Sequence, residues 1–377
     1  MTDARNVLLI VFGGIIILLS GVVALRPAEV IRSPSDDVTA SVPDDATRRA
    51  GASPVSEADA DAAARIAGAR DVDAAPPSPP KRDTWRPGPI APIPLSIELD
   101  PDRIRLGDRL FHDPSLSRDG TVSCASCHDL DEGGVDGRIV SIGSNRAPGA
   151  INTPTVLNSI FNFRQSWDGR AADLIEQIEI TVHDETAMAT DWDTLLGKLR
   201  TDPEYAAAFE REYGLLDPFA VSDALATFVR SLITPNARFD RFLRGDDEAL
   251  TELERTGYDL FSQVGCVTCH QGVNIGGNMF QKFGRLRDYF ADKGEITQVD
   301  RGRFNITGRE QDLHRFKVPS LRNVALTAPY FHDGSSNTLQ DSVRVMARYE
   351  LGVELEDDVV EALSAFLHTL TGESPAN

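Results

Sequence analysis

Two five-residue stretches carry the most specific chemistry in this chain: Cys124-Ala-Ser-Cys127-His128 and Cys266-Val-Thr-Cys269-His270. Two thiols separated by two residues can bond the two vinyl groups of a porphyrin from one turn of backbone, and the imidazole that follows is then placed to ligate the iron. The pattern therefore reads as c-type haem attachment, twice. Zinc is the first rival, but the motifs start 142 residues apart (266 − 124), unlike the compact spacing of zinc sites. A thioredoxin-like redox pair is the second, and it does not explain a histidine after both pairs. The chain has 4 cysteines and the motifs use all of them, so no thiol remains for a disulfide framework.

Of the other histidines, His112, His183, His314, His332 and His368, any could in principle reach an iron, but a lone histidine more often has a surface or hydrogen-bonded role. Met346 is more suggestive, because thioether ligation raises haem potential and suits a centre where electrons enter. Its bland alternative is a core methionine on a helix.

The elements that must hold these groups begin near Ser96. Helical spacing of apolar residues is clear at Val221, Leu225, Phe228, Val229 and Leu232, and again at Val359, Val360, Leu363, Phe366, Leu367 and Leu370. Further helices are expected at Pro101–Phe111, Ala171–Ile180, Trp192–Leu199, Glu252–Phe261 and Leu339–Tyr349. Strand alternation is rare, so the fold class is mainly α with little or no sheet. The motif spacing suits two tandem domains of one type, 93–236 and 237–377, with the boundary near Thr234–Asn236.

Ahead of this body, Val7–Leu25 is an uncharged apolar run long enough to span a membrane as a helix. Its length and its offset charges, Asp3 against Arg5, favour an uncleaved anchor over a removed export signal, giving a segment 1–26 of one kind or the other. Residues 27–92 are rich in Ala, Asp, Pro and Ser and read as a disordered linker. A flexible linker of that size reaches about 45–50 Å. Covalent haem attachment takes place outside the cytoplasm, which puts the body on the periplasmic side of the membrane. Charge excludes another class: 38 Lys+Arg against 58 Asp+Glu give −20, which argues against a nucleic-acid partner. With 41% hydrophobic and 25% charged residues, neither a wholly disordered chain nor a multi-span membrane protein is expected.

The stretches LFHDPSLSRDGTVSCASCHDL, INTPTVLNSIFNFRQSWDGRAADLIEQ, CHQGVNIGGNMFQKFG and FKVPSLRNVALTAPYFHDGSSNTLQDSVRVMARYELG occur in this order. Through them the chain resembles the bacterial dihaem cytochrome c peroxidases over nearly all of residues 106–373. The resemblance implies two cytochrome c-like helical domains, two covalent haems c and a calcium ion between the domains. The N-terminal haem would react with hydrogen peroxide. The C-terminal haem would take electrons from a small cytochrome c or cupredoxin.

Carried over by position, His128 would be the proximal ligand of the first haem, and His270 with Met346 the axial ligands of the second. Trp167 matches the tryptophan between the haems, and Gln177 a glutamine of the peroxide pocket. Asn152, with the backbone oxygens of Thr327 and Pro329, matches the calcium site. The resemblance also implies a homodimer. Two departures stand out. Where the family places a removable distal histidine, this chain has Ser144, and where it places a distal glutamate, it has Ala187. An iron site open in the fully oxidised protein is therefore expected, together with weaker acid/base help from the protein, unless Glu185, Asp184 or His183 substitutes. Two other functions remain: a dihaem oxygenase that matures another protein by oxidising its Tyr or Trp side chains, which in the methylamine-dehydrogenase-maturing relatives has tyrosine at the Met346 position, and a non-catalytic electron carrier or redox sensor.

Overall fold

The computed structural model describes residues 85–374. The expected anchor, and the linker up to residue 84, lie outside the described residues. Among the described residues no helix is long and apolar enough to cross a membrane.

The first half contains α1 (Pro101–Phe111), α2 (Leu174–His183), α3 (Trp192–Thr201), α4 (Pro203–Tyr213) and α5 (Pro218–Ser231). The second contains α6 (Arg238–Leu243), α7 (Glu252–Gln263), α8 (Leu339–Met346) and α9 (Asp357–His368). Between α7 and α8, a two-stranded antiparallel ladder joins β1 (Phe280–Lys282) to β2 (Arg315–Lys317), with Gln281 opposite Phe316. The mainly helical expectation holds, and among the described residues the only sheet is this short ribbon.

Helix ends follow from local chemistry. Asp100 caps α1 by accepting from Asp102 N and Arg103 N, with Pro101 as the first helical residue. Asp173, Asp191, Asp202 and Asp217 cap α2 to α5 in the same way. Thr251 and Glu254 form a reciprocal capping box at the start of α7.

Each half has its own apolar cluster, and each cluster is built on a helix crossing that requires a glycine. Leu106, Leu110, Phe111, Val221, Leu225 and Phe228 close the first. There Gly107 lies so close to α5 that an added Cβ would come within 2.0 Å of the Ala224 carbonyl oxygen. Phe239, Phe261, Leu363, Phe366 and Leu367 close the second. Its counterpart is Gly257, where a Cβ would come within 1.9 Å of the Ala362 carbonyl oxygen on α9. The two crossings share the pattern Gly-x-x-Leu-Phe, at 107–111 and 257–261, a short internal repeat ahead of each cysteine motif.

Three features depart from the sequence-based expectations. Residues 85–92, assigned by composition to the linker, pack on the second half: Ile90 is buried, Trp85 joins the same cluster, and Arg86 N donates to the Leu243 carbonyl. Helix α4 was not expected, because only Tyr205 and Phe209 of its residues are buried. The helix expected to run to Tyr349 changes at Met346 into a π turn, Ala347–Leu351, ended by Gly352 at φ 70°. π turns inside helices concentrate at functional sites.

Candidate haem and peroxide site

Both cysteine motifs fold into single 3₁₀ turns, Cys124–Ser126 and Cys266–Thr268, each placing its second cysteine and histidine over the first. In the first, Cys127 N and His128 N both donate to the Cys124 carbonyl, at 3.1 and 2.9 Å. In the second, Cys269 N and His270 N do the same to Cys266, at 3.2 and 3.0 Å. All four thiols are free, and burial pushes Cys124 up to about 12 and Cys266 to about 11.

The two imidazoles are held alike. His128 Nδ1 lies 3.1 Å from the Gly134 carbonyl and His270 Nδ1 lies 3.1 Å from the Ile275 carbonyl. A carbonyl can only accept, so Nδ1 carries the proton and Nε2 keeps its lone pair for a ligand. Burial lowers the pKa of both rings, that of His270 to about 4. Each ring is therefore neutral at neutral pH, the form that binds iron.

Beside the second motif lies a mostly apolar cavity of about 260 Å³. Cys266, Cys269 and His270 line it, and so does Met346 from the last turn of α8. The arrangement brings together both candidate ligands of the second haem and its two attachment thiols. Met346 also packs on an aromatic cluster of Phe283, Phe290, Phe316 and Phe331. These residues fit a haem: two thiols on one turn, a neutral imidazole with a free Nε2, a thioether, and an apolar cavity between them.

Trp167 borders the same cavity from the first half of the chain. Its indole N–H donates to the Asn152 carbonyl at 2.8 Å, and its own carbonyl accepts from Lys317 N at 2.8 Å. Asn152 spends its side-chain N–H groups on the Arg138 and Ile139 carbonyls, at 2.9 and 3.3 Å. Its Oδ1 is left to accept. The Thr327 and Pro329 carbonyls accept no hydrogen bond among the described residues, and both residues border this cavity with Asn152.

Sequence reasoning missed an ionic network that buttresses the cavity. His332 Nε2 lies 2.8 Å from Asp300 Oδ1, and Lys293 bridges Asp300 and Asp333 at 2.6 and 2.7 Å. Burial raises the Asp300 carboxyl, but the Lys293 ammonium and the Thr297 N–H more than reverse that and hold it well below the ordinary range. The other histidines have local partners or lie at the surface. His314 stacks on Phe290 at 3.9 Å, His112 and His183 sit by carbonyls one helical turn back, and His368 is exposed.

Gln177 of α2, the expected peroxide-pocket glutamine, is already engaged. Its Oε1 accepts from the Ser166 hydroxyl at 2.5 Å, and its Nε2 donates to Thr181 Oγ1 at 3.1 Å. Ser144 and Ala187 meet: Ser144 N donates to the Ala187 carbonyl at 2.8 Å. Ser144 is fully buried, and its hydroxyl faces the Asp119 carboxylate without a well-formed hydrogen bond. None of the three carboxylate and imidazole side chains beside Ala187 is free. Glu185 is 70% exposed and forked onto Arg118, Asp184 holds Thr186, and His183 is tied to the Glu179 carbonyl.

Two haem-attachment motifs in a mainly helical chain define the class, a dihaem c-type protein. A family model described as di-haem cytochrome c peroxidase matches residues 101–248. Cytochrome c551 peroxidase of Nitrosomonas europaea is 42% identical over 289 residues, covering 76% of this chain and 85% of its own. Cytochrome c peroxidase Ccp of Escherichia coli is 47% identical over 286 residues, and the match covers 75% of this chain but 61% of that longer protein. Among solved structures, a MauG-like protein associated with microbial copper homeostasis superposes with a TM-score of 0.67 at 29% identity, covering 77% of this chain and 94% of its own. The chain belongs to the di-haem cytochrome c peroxidase family.

Proposed function

We propose that this protein reduces hydrogen peroxide to water with electrons from a small cytochrome c or cupredoxin. The observation that carries the reading is the single cavity joining Cys266, Cys269, His270, Met346 and Trp167, in a chain that shares 42% identity with a named cytochrome c551 peroxidase. Bound haem supplies one-electron redox chemistry and an iron able to bind peroxide. The protein's part is attachment, orientation and electrostatics. Cys124 and Cys127 would hold the first haem under His128, and Cys266 and Cys269 the second between His270 and Met346. Trp167 would couple the haems, and its hydrogen bonds to both halves through Asn152 and Lys317 support that role.

The same reading divides the chain into haem domains 93–236 and 237–377, and the two glycine-dependent helix crossings support that division. It puts a calcium ion at Asn152 Oδ1 and the Thr327 and Pro329 carbonyls, hard oxygens of the kind that ion takes. It also includes a body on the periplasmic side of the inner membrane, held by the N-terminal segment if that is retained, and a homodimer.

With Ser144 buried and no histidine at that position, the first iron should be open without prior reduction. Low-temperature electron paramagnetic resonance of the fully oxidised holoprotein tests this: a high-spin ferric signal that peroxide abolishes is expected. Two low-spin signals unmoved by peroxide would reject it. Purified holoprotein should then oxidise reduced donor when peroxide is added, and no turnover from either starting redox state would reject the peroxidase reading. The likeness to the MauG-like structure favours one second reading, oxidation of a partner protein's side chain. Met346 in the cavity weighs against it, since the methylamine-dehydrogenase-maturing relatives use tyrosine there.

A further inference from the structure

Lys317, on β2, is out of place by ordinary rules. It is only 6% exposed and borders the cavity that contains Cys266, Cys269, His270 and Met346. Its Nζ has no hydrogen-bond or ion-pair partner among the described residues. The neighbouring β2 residue Phe316 and the Trp167 ring, which border the same cavity, offer no anion. Glu350 does border it, but its Oε1 already accepts from Gly284 N at 2.7 Å, and no ion pair joins it to Lys317. His270 and His332 are held neutral by burial, and Lys282 is exposed and of like charge.

Burying an ammonium without a counter-ion is costly, and buried charges are normally paired, which points to a partner that a bound ligand supplies. Desolvation alone lowers the Lys317 pKa, to about 8, with no nearby charge opposing it. Haem brings two carboxylates, its propionates. The cysteines that border this cavity with Lys317 are those of the second motif, whereas Cys124, Cys127 and His128 do not border it. We propose that Lys317 Nζ pairs with a propionate of the haem attached at Cys266 and Cys269, supplying the buried positive charge of this cavity, where Lys282 is exposed. The short ribbon then has a purpose: pairing β2 with β1, and Lys317 N with the Trp167 carbonyl, fixes the lysine backbone so that its side chain is held in the cavity.

The proposal rests on haem attachment at the second motif, so the test starts from holoprotein in which pyridine haemochrome analysis finds two haems c per chain. A protein with fewer would fail the attachment reading and not the pairing. Lys317→Met and Lys317→Arg holoproteins are compared with the parent by spectroelectrochemical titration of the second haem. Removing a nearby cation destabilises the added electron, so the midpoint potential of Lys317→Met should fall, while Lys317→Arg stays near the parent. A Lys317→Met protein that loads haem and keeps the parent potential overturns the pairing. If Lys317→Met loses the second haem and Lys317→Arg keeps it, a positive charge is required and the pairing stands. If both lose it, the site needs the lysine's shape and not its charge, and the pairing is rejected.

Discussion

Replacing Arg322 with methionine should destabilise the protein in a pH-dependent way, because it strips a fully buried carboxylate of the cation bonded to it. Arg322 and Asp240 are both at 0% side-chain exposure, with Nη1 2.7 Å from Asp240 Oδ1. The remaining guanidinium groups donate to the Val273 carbonyl at 2.8 Å and the Ala91 carbonyl at 3.0 Å. One side chain thus clamps α6, the loop after His270, and residues 85–92, the strap that packs on the second half. Burial raises the Asp240 carboxyl and Arg322 works against that. Without the arginine, the folded-state pKa lies well above the unfolded value of about 3.9. Stability is then full below that value and is lost as pH rises toward the folded pKa.

Taking up a proton instead of carrying a bare charge caps this loss at about 4 kcal/mol at pH 7 and about 1.5 kcal/mol at pH 5. Orphaning the two carbonyls adds a cost of about 1–3 kcal/mol each that does not vary with pH. Urea unfolding of Arg322→Met holoprotein at both pH values, against the parent at each, should therefore show a gap that shrinks by about 2–3 kcal/mol on acidification. The double variant Asp240→Asn, Arg322→Met should lose the pH dependence and keep the carbonyl cost. An equal gap at pH 5 and pH 7 for Arg322→Met would refute the reasoning.

Met346→Ala should lower the midpoint potential of one haem and leave the other unchanged, read by redox titration, since thioether ligation raises potential; two unchanged potentials would remove Met346 from the iron. Trp167→Phe keeps a ring in place but deletes the donor to the Asn152 carbonyl. Donor oxidation should slow while the peroxide-induced spectral change of the oxidised protein persists, and parallel loss of both would point to structural damage instead. Gly257→Ala forces a methyl to within 1.9 Å of the Ala362 carbonyl oxygen. The overpacking cost of about 1–3 kcal/mol should outweigh the roughly 1 kcal/mol that alanine gains in a helix, lowering the urea midpoint; a rise would show that the crossing has slack.

What the sequence discloses, and what it hides, follows from the range of the forces. Helix α1 is legible to the residue, because Asp100, Pro101 and the spacing of Leu106, Leu110 and Phe111 are all local signals. The haem motifs are legible for the same reason. The strap is not: its Pro-rich composition imitates a tether, while Trp85 and Ile90 find their partners far along the chain, on Phe239 and its neighbours. Nor is the π turn after Met346, where the Glu350 carboxylate reaches back to Gly284 N across a distance that no periodicity records. Asp300, His332, Lys293 and Asp333 likewise become a network only when the 293–300 segment meets the 332–333 turn.

The two departures expected from the resemblance, Ser144 and Ala187, look independent in the sequence, but the fold joins them. Their loops are joined by the Ser144 N to Ala187 carbonyl bond, and they touch so closely at Gly143 that a Cβ there would come within 2.2 Å of the Thr186 carbonyl oxygen. A fully buried Ser144 leaves no room for an imidazole unless the loop opens, and opening it breaks the bond that holds Ala187. Both replacements therefore favour the same closed pair of loops, small side chains on either side of one backbone contact. The outward carboxylates reinforce it, since Glu185 forks onto Arg118 and so ties the 184–188 turn to the loop ahead of Cys124. A rigid pair of loops has no ligand to swing away, so an iron site on that side would need no reductive switch. The acid/base work of breaking peroxide would then fall to bound water, at the cost of part of the roughly 10²- to 10⁴-fold assistance that a placed carboxyl supplies.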